Sequence, residues 1–229
     1  MTDTTTDTRS TVTPRRKRSP VALALVSVIV LVGVGLLAYF FYFQTYHLVT
    51  VDPGKLYRNG HRSMREWKNA QRHAHAKTIV AVIDDEEYNQ PEFVEERNYC
   101  KANGIEYHWI NVKAGTIPKP DQVKQFLAIA TDPAKQPVLY HDDEGIRRAG
   151  MMMAAYQMSV LGYDKAKAKS AIQSFGHSDR TIDGVRAFID AYDPVNGLTV
   201  DLNQSSVTFV QWSSATRPTG APTSKPAGE

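Results

Sequence analysis

The run Val21–Phe43, VALALVSVIVLVGVGLLAYFFYF, contains no charged residue and constrains the chain more than any other feature. As an α-helix it would be roughly 34 Å long, enough for a bilayer's hydrocarbon core of about 30 Å. A buried helix of a soluble protein normally keeps a polar face, and this run has none. The aromatic residues 39–43 suit a membrane interface. We predict a transmembrane helix over residues 21–43.

A cleaved signal peptide is the alternative interpretation of this run. Its apolar core is usually shorter and ends at a small-residue cleavage site, whereas this run ends in bulky aromatic residues. The basic stretch PRRKR, residues 14–18, comes just before it. Because basic residues stay on the cytoplasmic side, we expect a single-pass cell-membrane anchor with a cytoplasmic N-terminus and an extracytoplasmic domain.

The net positive charge of the chain comes from residues 1–43. Five basic and two acidic residues precede residue 44, a surplus of three that equals the net charge of +3 for the whole chain. The remainder therefore sums to zero. Nucleic-acid binding is not expected, because it would require a basic surface on the folded domain.

The domain is expected between two polar tails. Residues 1–20 have no apolar periodicity and are predicted to be a disordered cytoplasmic tail, and residues 203–229 are predicted to be a flexible tail. Strands are expected at 55–60, 77–84, 105–112 and 137–141, and helices from Ser63 to about 76, at 91–102, from Pro120, after the 142–147 loop, at 163–175 and at 181–192. Their alternation over residues 44–202 predicts an α/β sandwich, with a mainly parallel central sheet flanked by helices.

The segment VLYHDDEGIRRAG, residues 138–150, has the form of an anion-binding loop. A short apolar strand leads through a tight turn into a helix, whose first N–H groups and dipole favour a negative charge. Gly145 permits close approach of the backbone, and the planar fork of Arg148 matches phosphate oxygens. However, Asp142, Asp143 and Glu144 stand where a phosphate would approach.

This segment resembles the signature of the cysteine-dependent tyrosine and dual-specificity phosphatases, His-Cys-x-x-Gly-x-x-Arg followed by Ser or Thr. His141, Gly145 and Arg148 fall on the three matching positions. The stretches GKLYRNGHRSMREWKNAQRHAHAKTIVAVID and YDKAKAKSAIQSFG resemble flanking parts of the family, and the likeness covers about residues 48–195. The resemblance implies the phosphatase α/β fold and, where the motif is intact, hydrolysis of phosphoric monoesters.

Two positions depart from that signature. Asp142 stands where the family has its nucleophilic Cys, and Ala149 stands where it has the Ser or Thr that helps the thiolate leave. The family's general acid also has no clear counterpart. Asp121 follows Pro120 and is expected in the first turn of a helix, and Asp84 and Asp85 are expected to be turn residues.

The resemblance gives Asp142 and Arg148 the catalytic positions. The other expected members of the phosphate loop are His141, Asp143, Glu144, Gly145, Ile146, Arg147 and Ala149. We predict that Asp142 is itself the anion the loop holds, accepting loop N–H groups and lying within salt-bridge reach of Arg148. Asp143 and Glu144 are expected to face solvent with partial compensation from Arg147, and His141 is expected to be structural.

Three functions follow from these residues. The first is a membrane-anchored pseudophosphatase with a binding or scaffolding role, whose partner would be a phosphorylated protein or one sensitive to acidic groups. The second is an active phosphatase that uses Asp142 as the nucleophile, which would ordinarily need Mg²⁺. The third is a module that binds a divalent cation without catalysis. No metal site or cofactor is expected for the first.

Overall fold

A computed structural model of the chain describes residues 20–197. The tails predicted over 1–20 and 203–229 lie outside the described residues, except that Pro20 begins the first helix. The chain divides into two units, residues 1–43 and 44–229.

The first unit contains one described helix, α1, Pro20–Tyr42. Its segment Ala24–Tyr42 is long and apolar enough to cross a membrane, with a mean hydropathy of 2.6. The predicted helix is therefore present within one residue of its expected bounds. A membrane span and a signal sequence share these properties.

The second unit alternates strands and helices as expected. In chain order it contains β1 Val49–Asp52, β2 Leu56–Gly60, α2 Met64–Ala74, β3 Thr78–Ile83, α3 Asp85–Tyr88, α4 Pro91–Ala102, β4 Glu106–Asn111, α5 Pro120–Ala130, β5 Val138–Asp142, α6 Arg148–Ser159, α7 Lys165–Ser170 and α8 Asp179–Ala191. Ser63 caps α2, as predicted, by accepting the N–H of Glu66.

The five strands form one sheet in the order β1-β2-β5-β3-β4. β1 is antiparallel to β2, and all other pairs are parallel, so the predicted mainly parallel sheet is confirmed. Helices α5–α8 cover one face, where Phe126, Met152 and Phe188 belong to the largest core cluster. Helices α2 and α4 cover the other face, where Trp67 and Cys100 pack on the sheet.

Three elements differ from the predictions. Strand β1 and the short helix α3 were not anticipated, and the helix expected over 163–175 is limited to α7. Ala168 is the one buried residue of α7, so that helix has little apolar surface with which to extend. Phe175 and Gly176 then have φ angles of 50° and 85°, which a right-handed helix cannot accommodate.

Candidate active-site loop

The central position of β5 determines where the site lies. β5 pairs on one side with β2 and on the other with β3, all parallel. The carboxyl ends of these three strands therefore meet at one edge of the sheet, where ligands bind in open α/β folds. The loop from β5 to α6 leaves from this edge.

This loop closes around the carboxylate of Asp142, the last residue of β5, which is 2% exposed. Its Oδ1 accepts hydrogen bonds from the N–H groups of Gly145 and Ile146, the second at 3.3 Å. Its Oδ2 accepts the N–H of Ala149 at 3.0 Å. The predicted hydrogen bonds to Asp142 are therefore confirmed, and the loop holds an anion of its own chain.

Gly145 lies where the loop crosses the end of β2. Its φ angle is 71°, and a Cβ there would lie 2.5 Å from the backbone nitrogen of Gly60. A Cβ on Gly60 would in turn lie 2.5 Å from the carbonyl oxygen of Glu144. The N–H of His61 also donates to the carbonyl of Asp143 at 2.8 Å. The shape of the loop therefore depends on two glycines, Gly145 in the loop and Gly60 at the end of β2.

Arg148 is 6% exposed, and a protein carboxylate occupies its guanidinium fork. Its Nη1 and Nη2 both donate to Glu87, the Nη2 bond to Oε1 measuring 2.6 Å. Its Nε lies 3.9 Å from Oδ2 of Asp142, which confirms the predicted reach. Burial is the largest influence and opposes the charge of Arg148, but the hydrogen bonds to Glu87 and the charges of Asp142, Glu87 and Asp84 together raise its pKa. The fork that the sequence suggested for phosphate is thus engaged with Glu87.

Glu87 is held in place by the short helix α3. The carboxylate of Asp84 caps this helix by accepting the N–H of Glu87 at 2.9 Å, and Glu87 accepts the N–H of Asp84 at 2.9 Å. Asp84 was expected to be a turn residue and is instead the cap. Burial opposes its ionisation, but hydrogen bonds from the N–H groups of Glu87 and Ala114 lower its pKa. Asp84 is therefore a poor proton donor.

The rim of the loop carries the remaining acidic residues. Asp143 is exposed as expected, whereas Glu144 is only half exposed and forms an ion pair with Arg147 at 3.1 Å. Partial desolvation, followed by repulsion from Glu87 and Asp142, raises the pKa of Asp143 to about 6. An approaching phosphate would meet this rim before it reached the loop N–H groups.

Behind the loop, His141 belongs to a fully buried ionic cluster. Its Nε2 lies 2.8 Å from Oε1 of Glu96, and Nε2 of His61 lies 3.1 Å from Oε2 of the same carboxylate. Burial opposes ionisation of Glu96, but the two histidines hold its pKa at about 2. Burial also opposes protonation of His141, yet Glu96 and Asp142 raise its pKa. This geometry fits the structural role expected of His141.

Two other chemistries find little support in residues 20–197. No group of three or more His, Cys, Asp or Glu side chains in this range is arranged to hold a metal ion. Cys100, the one cysteine of the chain, is buried in α4. Burial, followed by the charge of Glu96, raises the pKa of its thiol to about 12, so it does not supply a thiolate nucleophile near neutral pH.

The sheet and its strand–loop–helix unit define the class of the protein: a phosphatase-like domain of the tyrosine and dual-specificity type. A family model described as "DSP-PTPase phosphatase fused to NAD+ Kinase" matches residues 62–186, which is more than half of the chain. The chain belongs to this family.

Comparisons with known proteins found one relative by sequence and several similar folds. A probable chloroplastic NAD kinase 2 of Oryza sativa subsp. japonica is 38% identical over 84 residues, which are 37% of this chain but 9% of that protein. The catalytic core of the PP-IP phosphatase SIW14 from S. cerevisiae superposes with a TM-score of 0.57 at 19% identity, over 66% of this chain and 87% of that one. P. aeruginosa TpbA gives 0.52 at 23% identity, over 65% and 86%. These two structures support the fold alone.

Proposed function

We propose that this chain is a membrane-anchored pseudophosphatase, which keeps the phosphatase fold but binds or scaffolds a partner instead of hydrolysing phosphate esters. The observation that carries the proposal is the carboxylate of Asp142 at the position the motif gives to Cys, where it accepts two loop N–H groups and one from the first turn of α6. An anion in that place excludes a second one. Two unit charges about 4 Å apart repel by about 4 kcal/mol at an effective dielectric of 20, and a phosphate dianion would be repelled more.

The position of Arg148 supports the same conclusion. Arg148 and the N–H groups of Gly145, Ile146 and Ala149 are donors that could stabilise a phosphoryl group in transit. Each of them already binds a carboxylate of this chain. Ala149 carries no hydroxyl, and the nearby Asp84 is held ionised. A phosphorylated protein, or one sensitive to acidic groups, remains the proposed partner class.

The test is a turnover assay of the full-length chain in detergent on an aryl phosphate, with and without Mg²⁺. We expect no turnover. Wild-type turnover that is lost in Asp142→Ala would overturn the proposal in favour of Asp142 as a nucleophile forming an acyl phosphate. Turnover that requires Mg²⁺ would favour a metal-assisted form of that reaction.

Phosphate binding tests the occupied loop directly. Asp142→Ala should open the loop, so that calorimetric titration shows a phosphate site that the wild-type loop lacks. Asp143→Ala is the matched control, because it removes the same charge from the exposed rim without emptying the loop. An equal gain in both variants would show that only rim charge, and not occupation by Asp142, keeps phosphate out.

The membrane anchor is the second part of the proposal. Helix α1 and the basic residues 14–18, which lie outside the described residues, together favour a cytoplasmic N-terminus and an extracytoplasmic domain. Protease added to intact cells should then degrade the domain after residue 44, with permeabilised cells as the positive control. Protection until permeabilisation would refute this topology. A mature membrane-free protein that lacks residues 21–43 would identify the run as a signal peptide.

A further inference from the structure

A second arginine near the loop is buried without an anion. Arg58 lies on β2 in register with Tyr140, and its side chain is fully buried. Its Nη2 donates to Oε1 of Gln173 at 3.3 Å. Its Nε and Nη1, which carry three of the five guanidinium N–H groups, have no hydrogen-bond partner among residues 20–197. No carboxylate in that range forms an ion pair with it.

Such a group is costly unless something compensates it. Arginine stays protonated even when buried, so its charge cannot be relieved by loss of the proton. Burial lowers the pKa of Arg58, and the electrostatic effects of Tyr140 and Asp142 oppose that change only in part. The ring of Phe175, whose centroid lies 5.5 Å from the guanidinium carbon, supplies a cation–π contact. The unsatisfied donors still require an acceptor.

The residues beside Arg58 are suited to an anion and leave a way in. Gln173 and Phe175, the two side chains that contact the guanidinium, are both exposed residues. His47 stacks on Phe175 with ring centroids 4.0 Å apart, and His177 lies edge-on to His47 at 6.0 Å. Movement of Gln173 would uncover the guanidinium beside the imidazole of His47, on which the charge of Arg58 acts.

We propose that Arg58, with Gln173 and His47 beside it, forms an anion subsite separate from the 142–147 loop, and that it takes a phosphate group of a ligand or partner. The two sites are distinct, because Asp142 occupies the loop, whereas Nε and Nη1 of Arg58 have no hydrogen-bond partner among residues 20–197. The inference goes beyond the proposed function and does not depend on Asp142. A chain that binds without hydrolysing would thus keep one site for a phosphate after its loop has closed on itself.

Calorimetric titration of the full-length chain in detergent with inorganic phosphate tests the subsite. We expect the wild type to bind one phosphate weakly. Arg58→Met should lose at least tenfold in affinity, because methionine has no N–H group that could replace the charged hydrogen bonds of arginine to phosphate. Arg65→Met is the matched control, because it removes the same charge from an exposed position of α2 and should leave the affinity within about twofold. Asp142→Ala should retain the subsite and add a second.

Equal affinity in wild type and Arg58→Met, or no binding by the wild type, would overturn the proposal. Phosphate should also raise the melting temperature of the wild type but not of Arg58→Met. If Arg58→Met does not fold, Arg58→Lys keeps the charge with fewer donors and should still weaken binding. The two proposals can fail independently. If Asp142→Ala gains no second phosphate site, the occupied-loop proposal is contradicted, but the comparison of wild type with Arg58→Met still tests the subsite.

Discussion

Arg148 and Arg58 are both buried close to the same loop, but only one of them has a carboxylate. Arg148 binds both oxygens of Glu87, and Asp142 lies within salt-bridge reach. Arg58 has one amide oxygen and an aromatic ring. Arg148 is therefore held in one orientation by its partners, whereas Arg58 is a buried charge without an anionic partner. Removing the partner of Arg148 should lower the free energy of unfolding, and removing the charge of Arg58 should leave it unchanged or raise it.

The largest effect is expected where a buried charge has two partners. Glu96→Gln removes the carboxylate between His61 and His141, and breaking a buried pair of this kind costs about 3–5 kcal/mol of unfolding free energy. Denaturant unfolding measures it. Glu95→Gln, on the exposed side of the same helix, is the control and should stay within about 0.5 kcal/mol.

The pH dependence of this effect follows from two pKa shifts. The pKa of Glu96 is held at about 2, below its ordinary value of 4.5, so its contribution is present above pH 4.5 and is lost as pH falls toward 2. The raised pKa of His141 gives a contribution that is full below 6.5 and is lost as pH rises through the folded value. The gap between wild type and Glu96→Gln should thus be widest between pH 4.5 and 6.5. A gap independent of pH would show that the cluster is not ionic.

The next largest effect concerns the paired arginine itself. Glu87→Gln leaves Arg148 charged and deprived of its carboxylate, and we expect a loss of about 2–3 kcal/mol, since the pair keeps some solvent contact. The double variant Glu87→Gln, Arg148→Met should recover part of that loss. Glu86→Gln, on an exposed position of the same short helix, is the control. An equal loss in both single variants would mean that α3 is sensitive to charge in general.

Arg58→Met should have the opposite sign. An apolar side chain of similar length removes an unpaired buried charge, so unfolding free energy should be unchanged or higher by about 1 kcal/mol. Thermal and denaturant unfolding in phosphate-free buffer measure this change. A loss comparable to that of Glu87→Gln would break the comparison, because it would show that Arg58 already has an effective partner within the fold.

The sequence predicted the loop better than its surroundings, for a physical reason. Asp142, Gly145 and Ala149 are neighbours in the chain, so the hydrogen bonds among them follow from a strand, a turn and a helix in succession. Glu87 lies on α3, which follows β3, and Arg58 lies on β2. β3 and β2 are the strands on either side of β5, and local periodicity does not predict that strand order. The Asp84–Glu87 spacing does match a capping box, which was a readable sign of α3.

The fold was predictable to a similar extent, and its prediction was wrong at similar points. Hydrophobic patterns predict buried strands and amphipathic helices, and the helix predicted at residues 91–102 agrees with α4 residue for residue. The helix expected over 163–175 ends early, because the left-handed residues Phe175 and Gly176 follow it. Phe175 stacks on His47, a contact between residues distant in sequence that local periodicity does not predict.

The smallest expected effect extends the comparison to an unpaired acid. Asp143 lies near Glu87, Asp142 and Glu144, and its pKa is raised from 3.8 to about 6. An acid whose folded pKa is raised costs nothing below its unfolded pKa and destabilises the fold increasingly as pH rises from 3.8 through 6. Asp143→Asn should therefore raise the melting temperature near neutral pH and leave it unchanged below pH 3.8. Because Asp143 is exposed and screened, the gain should stay below about 1 kcal/mol.

Melting curves of wild type and Asp143→Asn across this pH range, with Glu95→Gln as the control, measure the gain. A variant that is less stable than wild type at neutral pH would show that Asp143 has a compensating partner after all, as Arg148 does and Arg58 does not.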